Sequence, residues 1–351
     1  MSPRIQRFVL DLLCCARADS WLGARGVGGI FAGHRVLPDP PAGAFAPNRA
    51  LAISAEFLEA VLRHLSDRGI AVVALGEAVR GLAEGTKQRP MACFTFDDGY
   101  ADNYLAALPV FARLGLPFTV FITTGFLDGT ATPWWHALET AIARTERLTI
   151  EQEGRRRSWP TRSTTEKLAA YRALAPWLKA ADPCRRSAIL GDIADRHGGP
   201  PQSPMLTWPM VREMARSDLV EFGCHTVAHP MLSRLPREEA SRELVEARGR
   251  LEEELGRPAT LLAYPYGDAA SAGRREFDLA RAAGFSAAVT TRRATLTRLA
   301  AHDPLDLPRL PLNGNFQRIS YIDLFLSGTP FLPGELARRA RARWRGSDAS
   351  L

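Results

Sequence analysis

The chain has 351 residues, of which 46% are hydrophobic and 24% charged, so it is a folded protein with a substantial core rather than a disordered segment. Its net charge of +7 comes almost entirely from arginines spread along the sequence, so we expect no nucleic-acid partner, and no apolar run is long enough to cross a bilayer. Five cysteines without a Cys-x-x-Cys pair argue against a disulfide framework and favour a reducing compartment.

Residues 1–28 are predicted to form a helical extension. Arg4 and Arg7 precede a short apolar run that resembles a secretory signal, but Asp11 interrupts it, and a signal core would not contain a charge. We therefore expect an amphipathic helix that lies on the fold or on a membrane surface. The expected location is the cytoplasm, with contact to the inner face of the membrane through this helix or the basic tail 326–351. A GC-rich genome that favours arginine is the alternative explanation of the charge.

From residue 29 to residue 325, short apolar runs alternate with segments of helical period, which predicts one domain built on a parallel sheet. The expected strands are Gly29–Ala32, Ile70–Val73, Ala92–Phe96, Phe118–Thr123, Leu219–Gly223, Leu261–Tyr264 and Ser286–Thr290. The expected helices are Ala55–Arg68, Asp102–Arg113, Pro236–Leu255 and Arg274–Ala283. About seven strands do not complete an eightfold barrel, so the predicted fold is α/β, a distorted (β/α) barrel.

The alternation is interrupted between about residues 125 and 205, which we interpret as an insertion. Its predicted parts are a hairpin, Leu148–Glu153 with Arg155–Trp159, and two helices, Thr165–Lys179 and Pro183–Arg196. Insertions after a strand commonly build the walls of an active site. Trp134 and Trp135 are candidates for stacking on sugar rings, and ordinary packing of a helix onto the barrel is the alternative.

Two pairs of polar residues follow expected strands. Asp97 and Asp98 are electrostatically unfavourable as neighbours unless a cation or proton lies between them, although Asp-Asp-Gly is also an ordinary turn sequence. The spacing of His225 and His229 places both imidazoles on one side of a helical turn, where they can reach one ion; a purely structural pair is the alternative.

A third loop, Tyr264–Asp268, also begins where a strand ends. The carboxyl ends of parallel strands meet at the face where (β/α) barrels hold active sites, so we expect the three loops to converge. Two imidazoles and one carboxylate leave a coordination position open for water, which is the arrangement of a catalytic metal site. The second aspartate is then available as a general base.

Thr95–Tyr100, His225–His229 and Tyr264–Gly267 resemble, in order and rough spacing, the first three motifs of the polysaccharide deacetylase family, the NodB homology domain of carbohydrate esterase family 4. The similarity extends from about Gly29 to about Asn313. It implies a metal-dependent hydrolase that removes N-acetyl groups from an N-acetylated amino sugar oligomer or polysaccharide, such as a chito-oligosaccharide or poly-N-acetylglucosamine.

The resemblance implies that Asp98, His225 and His229 bind a divalent cation, most suitably Zn²⁺, with Co²⁺, Ni²⁺ or Mn²⁺ as substitutes. It makes Asp97 the base for a metal-bound water that attacks the amide, and the backbone amide of Tyr266 a donor to the oxyanion. Four aromatic residues are assigned to substrate binding: Trp134, Trp135, Tyr100 and Tyr264.

Two departures from the family pattern affect the site. Ala263 stands where family members commonly carry an arginine that pairs with the catalytic aspartate, so Asp97 is expected to lack that partner. Leu307–Leu310 replaces the usual Leu-x-His segment that supplies the acid. His34 lies in a segment similar to the N-terminal histidine of circularly permuted members acting on secreted poly-N-acetylglucosamine, so it is the expected general acid. The remaining histidines are expected to be structural or exposed: His64, His136, His197 and His302.

Two other functions fit part of the pattern. Two histidines and one carboxylate also form the iron site of non-haem oxygenases, but those usually have all-β scaffolds, and the role would leave Asp97 unused. Because the arginine is missing, a catalytically impaired carbohydrate-binding relative is the second alternative. The identity of the acylated sugar is left open.

Overall fold

The computed structural model describes residues 3–17, 27–84, 90–152, 155–198, 204–296 and 303–332. The strands are β1 (Gly28–Gly33), β2 (Arg35–Val36), β3 (Ala52–Ile53), β4 (Ala71–Val72), β5 (Met91–Phe96), β6 (Phe118–Ile122), β7 (Arg147–Gln152), β8 (Arg155–Pro160), β9 (Val220–Cys224), β10 (Leu261–Ala263), β11 (Ala287–Val289) and β12 (Leu310–Pro311). The helices are α1 (Pro3–Cys15), α2 (Ala55–Asp67), α3 (Leu75–Ala83), α4 (Leu108–Leu114), α5 (Thr124–Asp128), α6 (Trp134–Arg144), α7 (Thr164–Ala180), α8 (Pro183–His197), α9 (Trp208–Met214), α10 (Arg237–Leu255), α11 (Arg274–Ala282) and α12 (Ile319–Leu326).

The main sheet is parallel, in the order β11-β10-β9-β6-β5-β1-β12, with β4 paired to β5 outside this path. It curves into a half-barrel with helices around it, which confirms the predicted distorted (β/α) barrel. Each of the seven expected strands is present. The sequence did not predict β12, which pairs with β1 through Leu310 and Pro311.

Strand β5 shows why the apolar runs were recognisable in the sequence. Every residue from Met91 to Phe96 is buried, because a parallel strand in the middle of a sheet is covered on both faces. Phe96 packs edge-on against Phe111 and Phe118, whose rings stack with centroids 4.4 Å apart. This cluster fixes the strand whose carboxyl end carries the two aspartates.

The insertion has the predicted parts. Strands β7 and β8 form an antiparallel hairpin, and α7 and α8 follow it. Helix α7 begins with a capping box in which the Ser163 hydroxyl accepts from the Glu166 amide. Trp134 and Trp135 of α6 pack with these elements into a hydrophobic cluster of their own. The insertion therefore has its own small core beside the barrel.

The expected N-terminal helix is α1, which packs against α12. Leu10 is buried there, and the Tyr321 hydroxyl donates to the Asp11 carboxylate at 2.6 Å. Within the described residues, every helix is too short or too polar to span a membrane. Most of the basic tail and His302 lie outside the described residues.

Candidate active site

The three side chains expected to bind a cation lie together at the carboxyl ends of β5 and β9. The Nε2 atoms of His225 and His229 are 3.4 and 3.3 Å from one atom, Oδ1 of Asp98. Two ligands that are each about 2.0–2.1 Å from a tetrahedral ion lie about 3.3 Å apart, so the spacing fits a cation the size of Zn²⁺. In the described part of the chain, no other group of His, Cys, Asp or Glu side chains is placed to share an ion.

The surroundings of these donors also fit a metal. Oδ1 of Asp98 is buried and finds no hydrogen-bond partner among the described residues, which is unfavourable unless a cation satisfies it. Nδ1 of His225 lies 2.7 Å from the Ala263 carbonyl oxygen. This contact places the ring proton on Nδ1 and leaves the Nε2 lone pair directed at Asp98.

The backbone is left-handed at four residues that carry the site. The φ angles of Asp98, Thr226, His229 and Tyr266 are 77°, 66°, 53° and 62°, and elsewhere in the described chain only Arg17 and glycines are positive. Such conformations cost about 1–3 kcal/mol each and cluster at functional sites. The expectation of a helical turn between the two histidines is wrong, because Thr226 and His229 leave the helical region; both imidazoles nevertheless reach Asp98.

Glu243 of α10 holds the loop between the two histidines. One atom, Oε2, accepts from the backbone N–H groups of Val227 and Ala228, at 2.8 and 2.9 Å. The Thr226 hydroxyl accepts from the amide of His229 at 3.0 Å. These bonds stabilise the left-handed backbone that aims the second imidazole, and the sequence gave no indication of Glu243's role.

The expectation that Asp97 lacks an arginine partner is wrong. Arg309 donates through Nη1 to Oδ1 and through Nη2 to Oδ2 of Asp97, at 2.7 and 2.6 Å. Nη1 also reaches the Thr95 hydroxyl, and Nε donates to the Thr290 carbonyl. Arg309 directly precedes β12, so the unpredicted strand positions the arginine that is absent at Ala263.

The charges around the two aspartates keep both ionised. Burial alone would raise the pKa of Asp97, but the guanidinium of Arg309, with smaller contributions from His225 and His34, outweighs it and holds the pKa below its usual range. Burial likewise opposes ionisation of Asp98, and the two adjacent imidazoles lower its pKa well below the usual range. One carboxylate is therefore oriented by arginine, and the other faces the histidines.

His34 follows β1 at the same edge of the sheet and is half-buried. It makes the smallest of the contributions that lower the pKa of the two aspartates, and its carbonyl accepts from the Asn103 side chain at 2.9 Å. Tyr266 contacts the His229 ring, with centroids 4.9 Å apart. The Thr291 hydroxyl donates to the Tyr266 carbonyl at 2.7 Å. The structure thus brings Tyr266 to the His229 ring and places His34 at the same edge of the sheet.

The four aromatic residues assigned to substrate binding are all buried. Trp134 and Trp135 are 6% exposed; their indole N–H groups donate to the hydroxyls of Tyr266 and Tyr100. Ordinary packing, the alternative left open by the sequence, explains both positions, and a sugar contact stays a prediction. Tyr264 is 1% exposed and donates to the Leu305 carbonyl, so the structure does not bring its ring to the site surface.

Three further side chains of the insertion surround the site without having been predicted. Arg186 is buried, and its Nη1 donates to the His229 carbonyl at 3.4 Å. The ammonium of Lys179 lies 4.4 Å from the centre of the Tyr266 ring. His136 contacts the Tyr100 hydroxyl, and its burial lowers its pKa to about 4, so it is neutral at physiological pH. The insertion therefore forms one wall of the site.

The site combines a buried set of side chains that could bind a metal with an ionised carboxylate that an arginine holds in place. It lies at the carboxyl edge of a parallel half-barrel, and this combination is typical of a hydrolase. The model of the family described as polysaccharide deacetylase matches residues 84–288, more than half of the chain. The chain therefore belongs to the polysaccharide deacetylase family, as its motifs predicted. It is accordingly a carbohydrate de-N-acetylase, a hydrolase of carbon–nitrogen bonds in linear amides.

Solved structures with the same fold include Streptococcus pyogenes deacetylase PplD, which is 17% identical with a TM-score of 0.58; the match covers 86% of this chain and 97% of that one. A de-N-acetylase from Aggregatibacter actinomycetemcomitans is 17% identical with a TM-score of 0.57, covering 85% and 99%. IcaB from Ammonifex degensii is 20% identical with a TM-score of 0.55, covering 86% and 97%. Among curated proteins, none matches the chain.

Both alternative functions lose their basis. The scaffold is parallel α/β rather than all-β, and the family is hydrolytic, which argues against the non-haem iron oxygenase. The impaired binding relative was suggested by the missing arginine, and Arg309 occupies that role.

Proposed function

We propose that this enzyme is metal-dependent and removes N-acetyl groups from an N-acetylated amino sugar oligomer or polysaccharide similar to chito-oligosaccharide or poly-N-acetylglucosamine. The observation that carries the proposal is the convergence of Asp98, His225 and His229 on one point beside Asp97. Zn²⁺ suits this donor set best, and Co²⁺, Ni²⁺ or Mn²⁺ are compatible with it.

Asp98, His225 and His229 would hold a divalent cation, which would supply Lewis acidity toward the acetamide carbonyl and the attacking water. Asp97 accepts the proton of the attacking water on its carboxylate, and Arg309 holds that carboxylate in a fixed orientation. The Tyr266 amide N–H has no acceptor among the described residues, so it is available to donate to the oxyanion. His34 protonates the departing amine nitrogen.

The test is acetate release from a panel of N-acetylated oligomers, with metal analysis of the same preparation. We expect acetate release that a chelator abolishes and that Zn²⁺ or Co²⁺ restores. Asp97→Asn should lose activity while retaining the metal, whereas His229→Ala should lose both. Full activity after exhaustive removal of metal would refute metal dependence, and normal turnover by His34→Ala would remove that residue from the acid role.

We also propose that the enzyme works in the cytoplasm against the inner face of the membrane. Helix α1 supports this, because it exposes apolar side chains at helical spacing, among them Ile5, Phe8 and Leu12 at 52%, 64% and 54%. Its acidic residue, Asp11, is turned toward Arg318 and Tyr321 on the protein, and Arg7 donates to the Asn315 carbonyl there. Arg4 is exposed and adds positive charge near the start of the helix. The five free cysteines accord with a reducing compartment.

A further inference from the structure

The insertion forms a cavity of about 170 Å³, and Asp98, His225 and His229 are not among the residues that line it. Its polar and aromatic lining consists of three arginines and two tryptophans: Arg155, Arg157, Arg185, Trp159 and Trp177. Ile150 and Leu174, both buried, form an apolar part of its wall. No role in the proposed deacetylation uses any of these side chains.

The cavity follows from the alternation of strand β8. Arg155, Arg157 and Trp159 occupy alternate positions and therefore share one face of the strand, whereas Arg156 and Ser158 belong to the other face. The Ser158 hydroxyl is bonded to Thr149 across the hairpin, which fixes the register. Helices α7 and α8 close the cavity with Trp177 and Arg185.

Two of the three arginines, both on strand β8, have no carboxylate partner among the described residues. Arg155 and Arg157 are exposed, and in the described part of the chain neither forms an ion pair with a carboxylate. Nearby Arg196 of α8, by contrast, is paired with Asp192 and Glu151. Guanidinium groups bind carboxylates and phosphates through paired hydrogen bonds. Two indoles beside them offer flat apolar surfaces, of the kind that the face of a sugar ring can cover.

We propose that this cavity binds a negatively charged sugar, a pyranose that carries a carboxylate or a phosphate group. The inference rests on the proposed function in one respect, that the ligand is a carbohydrate. The two helices that line the cavity also flank the active site. Helix α7 carries Trp177 and, two residues later, Lys179, whose ammonium lies over the Tyr266 ring. Helix α8 carries Arg185 and then Arg186, which donates to the His229 carbonyl. This placement favours a further unit of the glycan over an unrelated anion. The substrate would then carry an anionic unit in addition to the N-acetylated sugar that reaches the active site.

The experiment measures binding by titration calorimetry on the full chain with three probes. Hyaluronan tetrasaccharide supplies a carboxylate, N-acetylglucosamine 1-phosphate supplies a phosphate, and tetraacetylchitotetraose is neutral. We expect a charged probe to bind more tightly than the neutral one, and its affinity to fall with added salt. The charged probe that binds more tightly identifies the anionic group.

The double variant Arg155→Gln/Arg157→Gln should weaken binding of the charged probe by about tenfold or more and leave the neutral probe unchanged. Arg156→Gln, on the other face of the same strand, is the matched control and should bind as the wild type does. Trp177→Ala should weaken binding of the charged probe without changing how that binding depends on salt. The proposal is overturned if the neutral probe binds as tightly as both charged probes, or if the double variant binds like the control.

Acetate release from tetraacetylchitotetraose, measured on the same proteins, separates this proposal from the proposed function. The double variant should retain it. Charged-probe binding without any acetate release would refute the proposed function and leave the cavity's role standing.

Discussion

The guanidinium of Arg309 is surrounded by oxygen atoms of other residues. Its side chain is 1% exposed, and four of its five N–H groups donate to Asp97, Thr95 and Thr290. An arginine in the largely apolar segment Leu305–Leu312 is itself a signal, because a buried guanidinium must find hydrogen-bond acceptors, and a carboxylate is the strongest of them. The partner could not be identified from the sequence, since nothing in the local pattern connects this run to β5.

We predict that Arg309→Met lowers the free energy of unfolding by about 3–5 kcal/mol, because it leaves the buried Asp97 charge uncompensated. It should also reduce acetate release, since the carboxylate loses its fixed orientation. Urea unfolding and initial rates measure the two effects.

The double variant Asp97→Asn/Arg309→Met provides the control for this pair. It removes both charges, so its loss of unfolding free energy should be smaller than the sum of the losses in the two single variants. It should remain inactive. If the loss of unfolding free energy in the double variant equals the sum of the two single losses, the ion pair contributes nothing beyond its separate side chains.

At the scale of elements, the loop between β9 and α10 depends on Glu243. One carboxylate oxygen of Glu243 accepts from two successive backbone amides, which a shorter side chain would not reach. We predict that Glu243→Ala weakens metal binding by about 10–100-fold, the usual effect of removing a residue that supports a ligand. Competition against a fluorescent chelator measures this directly.

Glu246→Ala is the matched control, since Glu246 is exposed on the same helix. It should bind metal as the wild type does. Unchanged metal affinity in Glu243→Ala would show that Thr226 alone is sufficient to hold the loop.

Strands β5 and β6 were predictable because every residue in them is buried, which makes each a continuous apolar run. Strand β12 escaped prediction because it is only Leu310 and Pro311, and prolines at 308 and 311 are typical of a loop. The metal donors could be predicted because they are adjacent to strand ends, and the order of the motifs is diagnostic. Glu243 and Arg186 could not, since their roles depend on how separate helices pack.

At the scale of the whole molecule, exposed large apolar side chains are concentrated on one helix. Among the described residues, four of the six lie on α1: Ile5, Phe8, Val9 and Leu12; the other two are Leu105 and Val245. We predict that Phe8→Ser/Leu12→Ser reduces partition onto vesicles containing anionic lipid by at least about tenfold. Full burial of each of these apolar side chains in the membrane would contribute about 1.5–3 kcal/mol, and the variant loses that contribution. Co-sedimentation measures the partition.

Leu105→Ser/Val245→Ser removes two side chains of similar exposed fraction elsewhere and should leave vesicle binding intact. Acetate release from a soluble oligomer should be normal in both variants. Equal partition of the two double variants would contradict a membrane role for α1.

The pairing of Asp97 with Arg309 spans 212 residues of sequence. A ribosome therefore finishes β5, with its unpaired acid, long before it makes the guanidinium that this acid requires. Nascent chains shorter than about 311 residues cannot add β12 to β1, so they hold an uncompensated charge inside an unfinished sheet. Competence for catalysis is thus acquired late in synthesis, and an incomplete translation product carries the motifs of the enzyme without its chemistry.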